Sequence, residues 1–359
     1  MVTAALGLLF GGSIVAAQSS QTPSPTSASA NGASKDANTD PGADTGGDDP
    51  EAMGGGNTTS LREDRSSRSD RAADGSQRET SRGQSGSAPN GKGMDCGAAF
   101  MPQKGESYQQ ALAREDRILG GLDRIRTYYS GLPKQWPGQI DTDGRPMVVS
   151  FKMNPGEVVR GKHDAHMRKW FNNAPKNQDI NWVYYHEPED NIEKGQFSGA
   201  KYRAAWRHLS KLADQANNPR LRATLTLMGY SVEKPSGRNW RDYYAGKQYI
   251  DTMAWDIYNY SNEGDGGYRK PEVLFGRALK VTKSQGLPFA VAETGSQTVK
   301  GDSGARRAQW LKSTLSYLKK NDTKWVTYFD MFINHNHGPQ HYELRDKAAI
   351  RAWKSVCGG

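Results

Sequence analysis

Every tryptophan and tyrosine of this 359-residue chain, nine and sixteen of them, lies at or beyond Met94, as do eight of the nine phenylalanines. Between Gln18 and Gly93 there is no aromatic residue, no valine and no isoleucine, and the only large aliphatic side chains are Leu61 and Met53. A stretch so poor in apolar surface cannot offset the entropy of ordering its backbone. Length alone would allow two domains, but this segregation leaves one. It comprises the 266 residues from Met94 to the end, behind a low-complexity, disordered linker over 18–93. The mean hydropathy of −0.84 is therefore an average over two unlike pieces.

Ahead of the linker, Val2–Ala17 is apolar and ends in small residues, Val15-Ala16-Ala17. That composition suits a cleaved signal peptide and is short for a membrane span. No lysine or arginine precedes Lys35, so a retained anchor is the alternative. Either reading makes the protein secreted or cell-surface, with a possible tether to membrane or cell wall. Charge divides too. Residues 18–93 hold 8 Lys+Arg against 11 Asp+Glu, and the segment beyond holds 40 against 28, a net +12. Such basicity allows nucleic acid or anionic polysaccharide as a partner. There is no run of five or six basic residues, however, and the pairs Arg168-Lys169, Arg306-Arg307 and Lys319-Lys320 fall on helix-like stretches. A solvated surface is expected, with no nucleic-acid partner.

Beyond Met94, short apolar runs alternate with helical patterns. Strands are predicted near Gly97–Met101, Ile125–Tyr129, Met147–Phe151, Trp182–His186, Ala223–Met228, Thr252–Tyr258, Phe289–Ala292 and Val326–Phe332. Helices are predicted over Tyr108–Leu122, His163–Asn172, Ala200–Asn217, Trp240–Gln248, Lys270–Ser284, Asp302–Asn321 and Glu343–Ser355. Ser130–Arg145, with Pro133 and Pro137, has no helical pattern. Eight strands alternating with helices over this length is the signature of an α/β fold, the (β/α)8 TIM barrel. An open doubly wound sheet is the rival, but no glycine-rich loop follows the first strand, and no cofactor is expected.

The two cysteines, Cys96 and Cys357, bracket this region. In a barrel, strand one starts at the bottom, the last helix ends there, and strand one lies beside strand eight. An exported chain should therefore join the two in a disulfide on the face opposite the active site.

Catalytic groups in such barrels sit at the C-terminal ends of strands. The fourth strand reads Trp182-Val183-Tyr184-Tyr185-His186-Glu187-Pro188, and the seventh reads Phe289-Ala290-Val291-Ala292-Glu293-Thr294-Gly295. A carboxylate closing an apolar strand is costly unless paired or functional. Glutamates after strands four and seven resemble the arrangement of clan A glycoside hydrolases, and the His186-Glu187 pair resembles glycoside hydrolase family 26, which contains endo-β-mannanases. The resemblance spans Met94 to the end and implies a retaining enzyme acting on a polysaccharide. Glu187 would be the acid/base, Glu293 the nucleophile, and His186 would contact the reacting sugar. After strand eight the chain reads Tyr328-Phe329-Asp330-Met331-Phe332, without the tryptophan many clan members carry there.

Retention requires one protonated and one ionised carboxyl. Tyr184, Tyr185 and Pro188 around Glu187 would raise its pKa by desolvation, which suits an acid. Glu293 needs donors, with Tyr258 the first candidate and Arg126 on strand two the second. Glu189 and Asp190 compete with Glu187 but lie beyond Pro188. Trp136, Trp240, Trp255 and Tyr260 are candidate sugar platforms, and Trp182 is core. His335, His337 and His341 after strand eight line the sugar cleft or, as an alternative, bind zinc in a metal-dependent carbohydrate hydrolase. A non-catalytic barrel that binds cell-wall carbohydrate is the remaining alternative. A monomer with no metal is expected.

Overall fold

A computed structural model describes residues 93–260, 267–335 and 338–358 of the chain. The leader and nearly all of the linker, expected as signal and spacer, lie outside the described residues. The apolar runs become eight parallel strands that close on themselves in sequence order. They are β1 (Asp95–Ala99), β2 (Arg124–Tyr129), β3 (Met147–Phe151), β4 (Ile180–Tyr184), β5 (Leu221–Met228), β6 (Thr252–Asn259), β7 (Phe289–Ser296) and β8 (Trp325–Phe329). Closure is made by β1 lying parallel to β8, with Cys96 opposite Val326. A hairpin follows, β9 (Phe332–His335) against β10 (Gly338–His341).

Helices α1 (Tyr108–Leu119), α2 (Pro155–Val159), α3 (Asp164–Asn172), α4 (Glu189–Glu193), α5 (Gly199–Gln215), α6 (Pro271–Ser284), α7 (Ala305–Lys320) and α8 (Lys347–Cys357) complete the fold. Their ends follow local chemistry. Ser107 and Gln110 cap each other at the start of α1, and Gly120 at φ 86 ends it. Ser198 and Asp346 accept from the first-turn N–H groups of α5 and α8.

Strand residues alternate between the barrel axis and the helical layer. Between strands and helices Trp182 of β4 meets Phe171 of α3 and Trp206 of α5, and Trp170 of α3 and Trp353 of α8 join the same layer, all almost wholly buried. The axis is filled by smaller side chains, Val148, Val183, Ala254, Ala290 and Ala292, with Trp325. Near the strand starts, Arg124 donates to Asp95 at 2.8 Å and to Asn181 at 2.7 Å. Its guanidinium lies over the Trp325 ring. This pairing satisfies a charge that could not otherwise be buried there.

The structure corrects several boundaries. Trp240–Gln248, expected as a helix, forms two short 3-10 turns, Trp240–Asp242 and Lys247–Tyr249. Between them Gly246 takes φ 114, which no right-handed helix accepts. The fourth strand stops at Tyr184 rather than His186, because Tyr185 and Glu187 adopt φ 49 and 50 and turn the chain away. The seventh strand continues past Ala292 to Ser296. Phe332, expected at the end of strand eight, begins the hairpin instead.

The disulfide joins Cys96 in β1 to Cys357 at the end of α8, with Cα atoms 5.6 Å apart. It sits on the strand-start face, as the barrel order requires.

Candidate active site

Glu293 lies inside β7, and a β-bulge aims it. Trp255 of β6 pairs with Val291, but the next β6 residue, Asp256, pairs with Glu293. The partner on the other side shows the same extra residue, since Val291 faces Val326 and Thr294 faces Tyr328. Ala290 and Ala292 both pack at the axis, so strict alternation would send Glu293 outward among the helices. The inserted residue turns it back inward.

Three donors then converge on its carboxylate. Arg126 Nη2 donates to Oε1 at 2.8 Å, and Tyr128 Oη donates to the same oxygen at 2.9 Å. Tyr258 Oη donates to Oε2. Arg126 Nε in turn donates to Tyr128 Oη at 2.7 Å. The Arg126 side chain has no exposed surface and also lies 3.7 Å from Asp256. The nearby cation and donors fix the carboxylate in one orientation.

Glu187 has the opposite environment. It is 8% exposed, and its backbone N–H donates to Thr226 of β5. Burial, then the charges of Asp256 and Glu293, push its pKa well above the ordinary carboxylate range. Lys152, directly after β3, opposes this more weakly. Asp256 is likewise pushed up by burial and by Glu293. Both of its carboxylate oxygens lack a hydrogen-bond partner. His186 is held well below its usual pKa by burial and then by Lys152 and Arg126, so its ring is neutral at pH 7. That ring meets Tyr128 edge-on at 5.5 Å.

Glu187, Glu293, His186, Tyr258 and Arg126, singled out from the sequence, thus meet in one constellation at the strand-end face. Glu189 and Asp190 do not compete with Glu187 there. Glu189 accepts from Met228 N–H at 2.8 Å and Ser231 Oγ at 2.7 Å, and burial raises its pKa to about 7. Asp190 pairs with Arg238.

The aromatic platforms divide. Trp255 has no exposure, and its Nε1 donates to Thr282 of α6 at 2.8 Å. It faces the helices, one step out of phase with Asp256, and offers no sugar a face. Trp240 is also buried, edge-on to Tyr244 and covered by Arg241. Trp136 is half-buried and stacks on Trp170 at 5.0 Å. Tyr260 remains partly open beside Tyr258, within the electrostatic reach of Glu187 and Glu293. His337 and the side chain of His335 lie outside the described residues. His341 is exposed and 3.5 Å from Glu343. Among the described residues no three His, Cys, Asp or Glu side chains gather as a metal site.

Sequence reasoning passed over Tyr128, Asp256 and Lys152. A signal existed for the first and third. Arg126 and Tyr128 are two apart on β2, and Ser150 and Lys152 two apart at the end of β3, so each pair shares a face.

No protein-family model and no curated protein matches the chain. Its fold is nevertheless similar to those of solved glycoside hydrolases. A modular endo-β-1,4-mannanase of glycoside hydrolase family 26 from Cellulomonas fimi superposes with a TM-score of 0.50 at 14% identity, over 75% of this chain and 71% of that one. A β-glycosidase from Pyrococcus horikoshii gives a TM-score of 0.51 at 14% identity, over 74% and 94%. A family 5 xyloglucan-specific endo-β-1,4-glucanase from a metagenomic library gives 0.50 at 12% identity, over 74% and 97%. At these identities the likeness is one of fold. The resemblance to clan A drawn from the two glutamates, and to family 26 drawn from the His186-Glu187 pair, agrees with it.

Proposed function

We propose that this chain is an exported retaining β-glycoside hydrolase that cleaves a mannan-like polysaccharide internally, with Glu187 as acid/base and Glu293 as nucleophile. The observation that carries the reading is the contrast between two buried carboxyl groups in one barrel mouth. Burial and neighbouring acids push the pKa of Glu187 well above the ordinary carboxylate range, Lys152 opposes this only through space, and among the described residues no ion pair holds Glu187. Glu293 is held by a guanidinium and two phenols. Environments that separate two carboxyls in this way assign acid and nucleophile.

In the first step a Glu293 oxygen attacks the anomeric carbon while the Glu187 proton passes to the glycosidic oxygen. The C–O bond to the leaving sugar breaks, and a glycosyl ester on Glu293 forms. Glu187, now a carboxylate, then takes a proton from water as that water attacks the same carbon. This frees Glu293, restores the acid and returns the original anomeric configuration. His186, neutral and beside Tyr128, is placed to contact the sugar. The disulfide fits an oxidising, extracellular location, and the apolar leader would supply the export signal or tether.

The test is a polysaccharide panel of mannans, xylans, mixed-linkage glucans and bacterial wall polymers, scored by reducing-sugar release. Glu293→Gln and Glu187→Ala should each abolish release. The Glu187→Ala protein should still form a glycosyl-enzyme with an activated aryl glycoside, visible by mass spectrometry. Undiminished release by Glu293→Gln would end this reading.

A further inference from the structure

Beside the two glutamates, on the β3–β4 side, is a pocket of about 210 Å³. Lys152, Tyr185, Phe197, Ser130, Asn154 and Gln196 line it. Lys152 is the one charged residue in that lining. Its ammonium lies over the Tyr185 ring at 5.2 Å and within electrostatic reach of Glu187, Glu293, Asp256 and Glu189, although among the described residues it makes no hydrogen bond or ion pair. Tyr185 and Phe197 meet edge-to-face at 4.8 Å and form an aromatic wall. Ser130, Asn154 and Gln196 add exposed polar groups at the mouth.

We infer that this pocket is a saccharide subsite for a sugar carrying an anionic substituent, a uronic-acid carboxylate or a sulfate ester, and that Lys152 reads the charge. The proposal deepens the glycosidase reading and rests on it. An ammonium that faces carboxylates only at a distance keeps its own donors unpaired, and an anion delivered by the ligand supplies the missing charge-assisted hydrogen bond. A neutral sugar hydroxyl would supply much less. The apolar face of a pyranose suits the Tyr185–Phe197 wall. The net +12 of residues 94–359 would attract a polyanionic chain from solution. Glu187, Glu293 and Asp256 do not line this pocket and act on Lys152 only through space, so the lysine is the charged group that an anion in the pocket meets.

The experiment titrates the full chain with methyl β-D-glucoside, methyl β-D-glucuronide and methyl β-D-glucoside 6-sulfate at pH 7, followed by NMR. The glucuronide or the sulfate should bind about tenfold more tightly than the neutral glycoside. Which of them does so distinguishes carboxylate from sulfate. Lys152→Gln should bring the ratio to about one, and Lys152→Arg should retain it. Should Lys152→Gln fail to fold, raising salt from about 0.05 to about 0.5 M on the unaltered protein should shrink the preference several-fold. Equal binding of charged and neutral glycosides overturns the proposal, as does a preference that survives Lys152→Gln or is insensitive to salt. Binding needs no hydrolysis, so the two readings fail separately. Charge-selective binding with no glycan cut in the panel ends the hydrolase reading alone, and cleavage without charge preference ends this one alone.

Discussion

Tyr128→Phe removes a single oxygen from the centre of the site. That hydroxyl makes two hydrogen bonds to charged groups, donating to Glu293 at 2.9 Å and accepting from Arg126 Nε at 2.7 Å. Bonds to charged groups contribute about 1.5–3 kcal/mol each. The substitution also strands Nε of a guanidinium whose Nη1 already lacks a partner and whose side chain has no exposed surface. A loss of roughly 3 kcal/mol in unfolding free energy follows, taking the lower value for each bond because Arg126 keeps its contact to Glu293. In catalysis the nucleophile loses one of its three donors and the brace that orients a second. A fall of about ten- to a hundredfold in kcat, with KM little changed, is expected, because the carboxylate acts in the bond-forming step. Urea unfolding and steady-state kinetics on one preparation measure both. A Tyr128→Phe protein within about 0.5 kcal/mol and about threefold of the parent would refute the reasoning, since such values belong to a surface change.

Three other outcomes follow from the geometry. Glu115 of α1 is fully buried beside Arg345 and Asp330, and burial, then its bond to Asp330, raises its pKa to about 8. Its folded pKa exceeds its unfolded one, so the stabilisation is complete below about pH 4.3 and is lost as pH rises through about 8, amounting to a few kcal/mol; melting curves from pH 5 to 9 should show this decline, and Glu115→Gln should flatten it. Opening the disulfide with a Cys96→Ser, Cys357→Ser pair releases a loop with a sequence separation of 261. Its closure entropy is worth about 5 kcal/mol, so a denaturation midpoint that hardly moves would contradict the model. Finally, Trp255→Ala should cost about 3–5 kcal/mol of stability with KM unaltered, whereas Tyr260→Ala should raise KM with little loss of stability; the reverse pattern in parallel unfolding and kinetic assays would return Trp255 to the cleft.

Much of the molecule is legible in its residues. Turn and cap signals with apolar runs place all eight barrel strands, because each is a local pattern of burial and breaking. The pairing of Cys96 with Cys357 follows once the strand count is known, since closure alone makes β1 and β8 neighbours. Glu187 is legible because Pro188 ends the run that carries it. Less local features fare worse. Trp240–Gln248 has helical spacing, yet Gly246 breaks it, and the fourth strand is cut short by two residues at positive φ. Trp255 and Tyr258 look alike on one strand, although three residues apart they point to opposite faces.

By itself, then, the sequence determined where a core could form, how many strands would surround it, and which carboxyls, tyrosine and arginine were candidates for chemistry. Those are consequences of composition and short-range periodicity. Tertiary structure alone decided that Glu293 faces the axis, because one extra residue in β7 reverses the alternation on which any reading of that strand depends. It also decided that Tyr128 and Arg126, 165 and 167 positions away in the chain, close on that carboxylate, and that Lys152 and Tyr185 share a pocket. Register and closure bring those groups together, and neither is written in the spacing of neighbouring residues.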